Sequence, residues 1–178
     1  MHSQGFPPIA RDDARVLILG SLPGQESLRR REYYAQPRNA FWPIMGALFG
    51  AGPRLPYAAR ARRLAASGIA LWDVCAAAVR AGSLDASIVA GSVVANDLAA
   101  FLAHHPRVGL VCFNGRTAAA LYRRHVLPTL PPGPRALPQL ELPSTSPAHA
   151  ALSFADKLGR WQAVGAALPR PRAAARER

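Results

Sequence analysis

Acidic residues are scarce in this chain: 10 Asp and Glu stand against 22 Lys and Arg, for a formal net charge of +12. A surface so biased favours a polyanion, with nucleic acid ahead of an anionic membrane. Cysteine is scarcer still. Cys75 and Cys112 are too few for a disulfide scaffold or for a structural zinc or iron-sulfur site of about four ligands. Each lies in an apolar run that reads as a buried strand, so both are expected to be core residues. The five histidines show no paired ligand spacing, and His104 with His105 reads as a helix end, where the dipole favours cations. No metal or other cofactor is expected. No apolar run approaches the ~18 residues of a membrane span, and the start MHSQGFPPIARDD lacks the apolar core of a secretory signal. The expectation is a cytoplasmic protein that does not engage membranes and is a monomer.

What is present is a chain of 178 residues, half of them hydrophobic, enough for one sizeable core. One domain is expected over 1–168, followed by a basic, disordered tail over 169–178 that lacks an apolar stripe. Short apolar runs alternate with helical patterns, the mark of strands joined by crossover helices. Strands are predicted at 16–19, 69–75, 108–113 and 139–142. Helices are predicted at 41–49, 57–66, 96–104, 117–126 and 154–168. The last has a capping-box-like start, Ser153 with Asp156, and a face of Phe154, Leu158, Trp161, Val164 and Leu168 that should pack on the sheet. The proline-rich stretch LPTLPPGPRALPQ, residues 127–139, reads as an extended surface connection. The fold class is α/β: three layers, α/β/α, around a four-stranded and mostly parallel sheet.

In such sheets ligands bind beyond the carboxyl ends of the strands, which directs attention to four loops. They are GSLPG (20–24), DVCAAAVRAGSLDASI (73–88), NGRT (114–117) and PSTSPAHA (143–150). Gly20, Ser21, Pro23 and Gly24, like Pro143, Ser144, Ser146 and Pro147, combine small side chains with rigid turns. They are either plain tight turns or places where a phosphodiester can approach the main chain. The richest segment is RRREYYAQPRNAFW, 29–42, which mixes arginines, aromatics and an amide ahead of a helix. Aromatic faces stack on bases at ~1–3 kcal/mol and arginines neutralise phosphates, a mixture suited to a base drawn from a duplex. Phe41 and Trp42 read as the first buried residues of that helix, whereas Tyr33 and Tyr34 are assigned to the loop. Asn96 and Asp97 read as a helix start. Arg80 and Asp85 are read either as a structural pair or as a DNA contact.

Taken in order, GSLPG after the first strand, YYAQPRNAFW, LWDVCAAAVRAGSLDASI, CFNG and LPSTSPAHA resemble the uracil-DNA glycosylase superfamily, most closely its hypoxanthine-DNA glycosylase (DNA-deoxyinosine glycosylase) branch. The resemblance spans about 16–161. It implies a monofunctional glycosylase that cuts hypoxanthine or uracil from DNA. Better-known branches carry Asp or Asn before the proline of the first motif, where this chain has Leu22. An aliphatic side chain cannot orient water, so the resemblance shifts that role to Asn39, with Asp73 second. Tyr34 matches the aromatic that stacks on the everted base, and Gln36 would contact base or water. Backbone amides at Gly20, Ser21 and Leu22, with the Asn114 side chain, would hydrogen-bond the base. DNA contacts are expected from Pro23, Gly24, Arg38, Ser144, Thr145 and Ser146, with Ala148 and His149 near the place where the superfamily wedges a side chain into the duplex.

Breaking an N-glycosidic bond builds positive charge on the sugar and negative charge on the base, so water must be aligned and both charges stabilised. A neutral amide such as Asn39 orients water rather than deprotonating it. A lyase would need an amine, and the one lysine, Lys157, is far in sequence from every motif. Two other readings stay open: a nucleic-acid-binding module of the same fold without catalysis, and a hydrolase using Ser144 or Ser146, for which no GxSxG elbow exists.

Overall fold

The protein is described from a computed structural model covering residues 2–168; the tail expected beyond 168 lies outside the described residues. The chain opens with β1 (His2–Gln4), then enters β2 (Val16–Gly20), whose five residues VLILG are all buried. Three helices follow, α1 (Gln25–Arg30), α2 (Phe41–Phe49) and α3 (Tyr57–Ala66), leading to β3 (Ile69–Asp73), β4 (Cys75–Val79) and β5 (Val94–Ala95). Then come α4 (Leu98–His104), β6 (Leu110–Asn114), α5 (Arg116–Leu121), α6 (Pro132–Arg135), β7 (Gln139–Leu142) and α7 (Phe154–Ala166).

The central sheet has the order β3-β2-β6-β7 and every pair in it is parallel. Because side chains alternate along a strand, β2 divides its residues between two cores. Val16 and Ile18 pack with α2, α3 and α7, while Leu17 and Leu19 pack with α4 and α5. Helices on both faces make the three layers predicted from the strand pattern. The crossover through α1–α3 runs on one face and those through α4 and α5 on the other. A crevice therefore opens at the carboxyl ends of β2 and β6, the switch point where such sheets bind ligands.

The structure corrects several boundaries. The second strand stops at Asp73 and does not continue to Cys75. There the chain turns, with Val74 and Cys75 donating to the carbonyls of Gly20 and Ser21 at 2.9 and 3.0 Å, and enters a second, antiparallel sheet of order β1-β4-β5. Residues read as loop after Asp73 are thus partly strand. Their partner is the distant His2–Gln4, which no local pattern announces. The helix predicted at 117–126 runs as α5 and then widens into a π-helical turn, Tyr122–Val126. The proline-rich stretch is not extended throughout, since α6 fits inside it. Proline has no amide to satisfy in a first helical turn, so PGPR forms one where a helix interior could not.

Both histidines flagged as a helix end lie there: His104 closes α4 and His105 caps it, while Asp97 caps the start by accepting from Ala100 N at 2.9 Å. The capping box of α7 forms as expected. Its apolar face carries Trp161 and Val164 fully buried, but Phe154 is left exposed and Lys157 is buried instead. Trp161 meets Phe41 edge-on at 6.0 Å and donates its indole N–H to the carbonyl of Pro143 at 3.0 Å. It thereby couples α7 to α2 and to the loop after β7. Replacing Trp161 by Ala removes a fully enclosed side chain and a hydrogen bond, and should cost about 3–5 kcal/mol in a urea unfolding titration.

Candidate active site

A cavity of about 610 Å³ occupies the crevice, within the usual range for small-ligand sites. Its walls are the 20–24 loop with the start of α1, the loop holding Tyr34, Gln36 and Asn39, the 83–86 segment, Asn114 with Thr117, and the 144–149 loop. The fold thus brings together all the site residues singled out from sequence except Arg38, which is exposed and outside the lining.

The 20–24 loop is organised by Arg80, one of the pair for which the sequence leaves a structural role and a DNA contact open. Arg80, about 1% exposed, donates through Nη1 to the carbonyl of Leu22 at 3.2 Å and through Nη2 to that of Pro23. With Val74 and Cys75 on the two preceding carbonyls, four consecutive acceptors of the loop are turned into the protein. In a planar trans peptide the next N–H points the opposite way, so the Leu22 amide faces away from Cys75 and the Gly24 amide away from Arg80, both in a loop that lines the cavity. Arg80 is also 3.6 Å from Asp85, whose Oδ1 accepts from the Ser21 hydroxyl at 2.7 Å. The pair is therefore structural.

Asp73, at the carboxyl end of β3, forms the floor. It is buried, and its Oδ2 has no hydrogen-bond partner in the structure. Beside it stands the phenol of Tyr34; although the Asn114 carboxamide offsets its pKa shift a little, the hydroxyl has no partner of normal geometry. A Cβ on Gly20 would overlap Asp73 Oδ1 and come within 2.8 Å of the Tyr34 hydroxyl, so only glycine lets these groups converge. Tyr34 adopts φ 54°, a left-handed conformation costly for an aromatic residue, and one ring face is stacked on Phe41 at 4.1 Å. Tyr33, expected in the loop as a base-facing aromatic, instead turns into the core, with its hydroxyl donating to Pro7 O at 3.1 Å.

Asn39 lies on the wall. Its Oδ1 accepts from Phe41 N at 3.0 Å, which fixes the carboxamide against the start of α2 and leaves one oxygen lone pair and the amide hydrogens for other partners. Gln36 is bound more tightly into the turn, its Oε1 accepting from Arg38 N at 2.5 Å. Opposite, Asn114 and Thr145 are joined twice at 2.8 Å, side chain to side chain and Thr145 N to Asn114 Oδ1. The Thr145 carbonyl takes the Ala40 amide at 3.0 Å. Thr145 is buried and braces three segments, and it lies with Ser144, Ser146, Ala148 and His149 on the cavity wall. Gly115, at φ 94°, allows the 144–149 loop to approach so closely that a Cβ would meet that of Ser144 at 3.0 Å. Lys157, remote in sequence, is near in space: buried on α7, it donates to the carbonyl of Ser146 at 3.3 Å and supports the loop from behind, outside the cavity lining.

Residues 7–174 match the family model for the uracil DNA glycosylase superfamily. The chain belongs to that superfamily. Among curated relatives it is similar to a protein named hypoxanthine DNA glycosylase from Methanosarcina acetivorans, 39% identical over 119 residues, which is 66% of this chain and 74% of the relative. A protein of the same name from Methanosarcina barkeri is 38% identical over 117 residues, covering 65% and 73% of the two chains. Among solved structures, an NMR structure of a Methanosarcina acetivorans protein described as a uracil DNA glycosylase superposes with a TM-score of 0.75 at 33% identity, covering 92% of this chain and 96% of that one. The superfamily fold accounts for the parallel sheet and its crevice. The Arg80 and Asp85 pair is legible in the sequence, but its hold on the 20–24 loop is not, because the β4 strand separates the pair from the motif it supports.

The buried floor has a measurable consequence. Burial, with Asp85 nearby adding to it and Arg80 opposing it, pushes the Asp73 carboxyl up to about 7 from 3.8. The folded protein then holds a proton that the unfolded chain releases near pH 4, so stability is greatest at low pH and falls as pH rises toward 7. Asp73→Asn should flatten this decline in melting temperature between pH 4 and 7. A slope identical to that of the native protein would show that Asp73 does not carry the proton.

Proposed function

We propose that this protein is a monofunctional DNA glycosylase that removes a deaminated base, hypoxanthine or uracil, by hydrolysing its N-glycosidic bond. The observation that carries the reading is the cavity floor, where Asp73 and Tyr34 lie side by side and Asp73 Oδ2 and the Tyr34 hydroxyl have no hydrogen-bond partner. Unsatisfied buried polar atoms cost free energy, which a ligand with matching groups recovers. Deamination of adenine or cytosine creates a lactam, a carbonyl next to an N–H. A carboxylate accepts from that N–H while a phenol donates to the carbonyl, whereas adenine offers the opposite polarity at both atoms.

Around this floor the remaining groups take roles that their partners leave open. The amides of Leu22 and Gly24 donate to a phosphate or to the departing base, whose negative charge grows as the bond breaks. Asn39, anchored by the Phe41 amide, holds water toward the sugar. Gln36 offers its amide hydrogens to base or water. Ser144, Ser146, Pro23, Gly24, His149 and the exposed Arg38 contact the DNA backbone at the rim. Lys157 does not line the cavity and its amine is bound to Ser146, which fits base removal without strand cleavage.

Duplexes carrying one inosine, uracil or xanthine, treated with the protein and then with alkali, test the reading. Alkali-sensitive strands are expected from at least one lesion. Asn39→Ala should lower the rate by about two to three orders of magnitude with DNA binding retained, since the loss falls on water alignment. Gly20→Ala should also abolish cleavage by displacing Asp73 and Tyr34, while the fold survives because only side-chain ends must move. Binding without cleavage of any lesion by the native protein would favour a binding module of this fold.

A further inference from the structure

Drawing a base out of a duplex leaves a gap in the stack, and proteins that distort DNA commonly fill such a gap with an apolar side chain. On the 144–149 wall the cavity rim offers Pro147, a short ring fixed to the backbone, Ala148, which is shorter still, and His149, which is polar. Across the cavity stands Leu84. It lines the mouth yet is 58% exposed, an arrangement that contributes little to the core. Its position is nonetheless fixed. Ser83 Oγ accepts from Gln25 N at 3.0 Å, and Asp85 Oδ1 accepts from the Ser21 hydroxyl at 2.7 Å, so both neighbours of Leu84 are tied to the motif loop. The loop is closed at its base by a backbone bridge between Arg80 and Ile88. Leu84 itself is extended, at φ −80° and ψ 130°, ahead of a short 3-10 turn.

A second cavity of about 320 Å³ adjoins the first through Asp85 and Thr117 and carries Arg116 and Arg124. Cations thus lie on the same flank as Leu84, where the backbone of a strand running past the mouth needs neutralisation.

We infer that Leu84 is the wedge, entering the base stack from the 83–86 wall and holding the lesion in the cavity while Arg116 and Arg124 take the flanking phosphates. The inference rests on the glycosylase reading above. Leu84 positions the substrate and takes no part in bond breaking, so its loss should be felt only where there is a stack to open.

Leu84→Ala should excise inosine from a duplex about ten- to hundredfold more slowly than the native protein, and from a single strand at an unchanged rate. Leu84→Phe, still apolar and large, should keep most of the duplex rate. A pyrene nucleotide placed opposite inosine, which crowds the base outward by itself, should restore duplex cleavage by Leu84→Ala. Equal duplex rates for native protein and Leu84→Ala, or an equal loss on both strand forms, would overturn the inference; so would a duplex-selective loss found only in His149→Ala. A binding readout separates this from failure of the glycosylase reading. With 2-aminopurine beside the lesion, native protein should raise its fluorescence on binding and Leu84→Ala should not, whether or not any base is cut. No rise with native protein would sink the wedge independently of the chemistry.

Discussion

The site depends on one buried cation. Arg80 would be costly to bury alone, and it is offset by the carbonyls of Leu22 and Pro23 and by Asp85. These contacts determine which way the peptide groups of the first motif face. With its backbone carbonyls held inward, the loop keeps backbone donors for a ligand, and donors suit a phosphate or a departing anionic base. Ordinary tight turns carry no such bias. Composition leaves open a plain turn or a ligand-facing loop, and a side chain that follows the β4 strand is what favours the second in the proposed reading.

The floor of the cavity is held together against local preference. Tyr34 occupies a left-handed conformation, Asp73 is buried away from any full countercharge, and two polar atoms lie without partners. Each feature destabilises the folded state, and none would persist unless its surroundings fixed it. The fixing comes from Phe41 stacked beneath Tyr34, from Trp42 donating to the Tyr33 carbonyl at 2.7 Å, and from the two apolar cores on the faces of β2. The alternating burial of β2 therefore does more than define a layer, since it makes the sheet rigid enough to hold strained groups at its end.

Much of this was legible in the chain. VLILG, QLEL and the helical stripes at 41–49 and 57–66 mark their elements because burial on both faces or on one leaves a direct hydrophobic pattern. Local cues also located most of the cavity wall, since small residues and prolines after a parallel strand have few other uses. What escaped were relations between distant segments. The β1–β4 pairing joins residues more than seventy positions apart, and α1 has the sequence QESLRR, with no apolar stripe. Tyr33 and Tyr34 are identical neighbours in a loop that lines the cavity, yet the Tyr33 ring is packed into the core and the Tyr34 hydroxyl reaches the Asp73 floor. Which ring goes where follows from the φ 54° turn at Tyr34, and that turn follows from tertiary packing rather than from the residues on either side.

Charge distribution divides recognition into two steps. A molecule with a net charge of +12 attracts any nucleic acid, and this attraction carries no information about a single altered base. Inside the mouth the balance reverses: Glu26, Asp73 and Asp85 all line the cavity. Glu26 is paired with Arg29 and Arg30, Asp85 with Arg80, and burial keeps Asp73 protonated up to about pH 7, so among the described residues the interior offers a phosphate no free cation. In the proposed reading the backbone of the DNA therefore stays with the basic exterior, and the group that reaches the Asp73 and Tyr34 pair is a neutral one, the base.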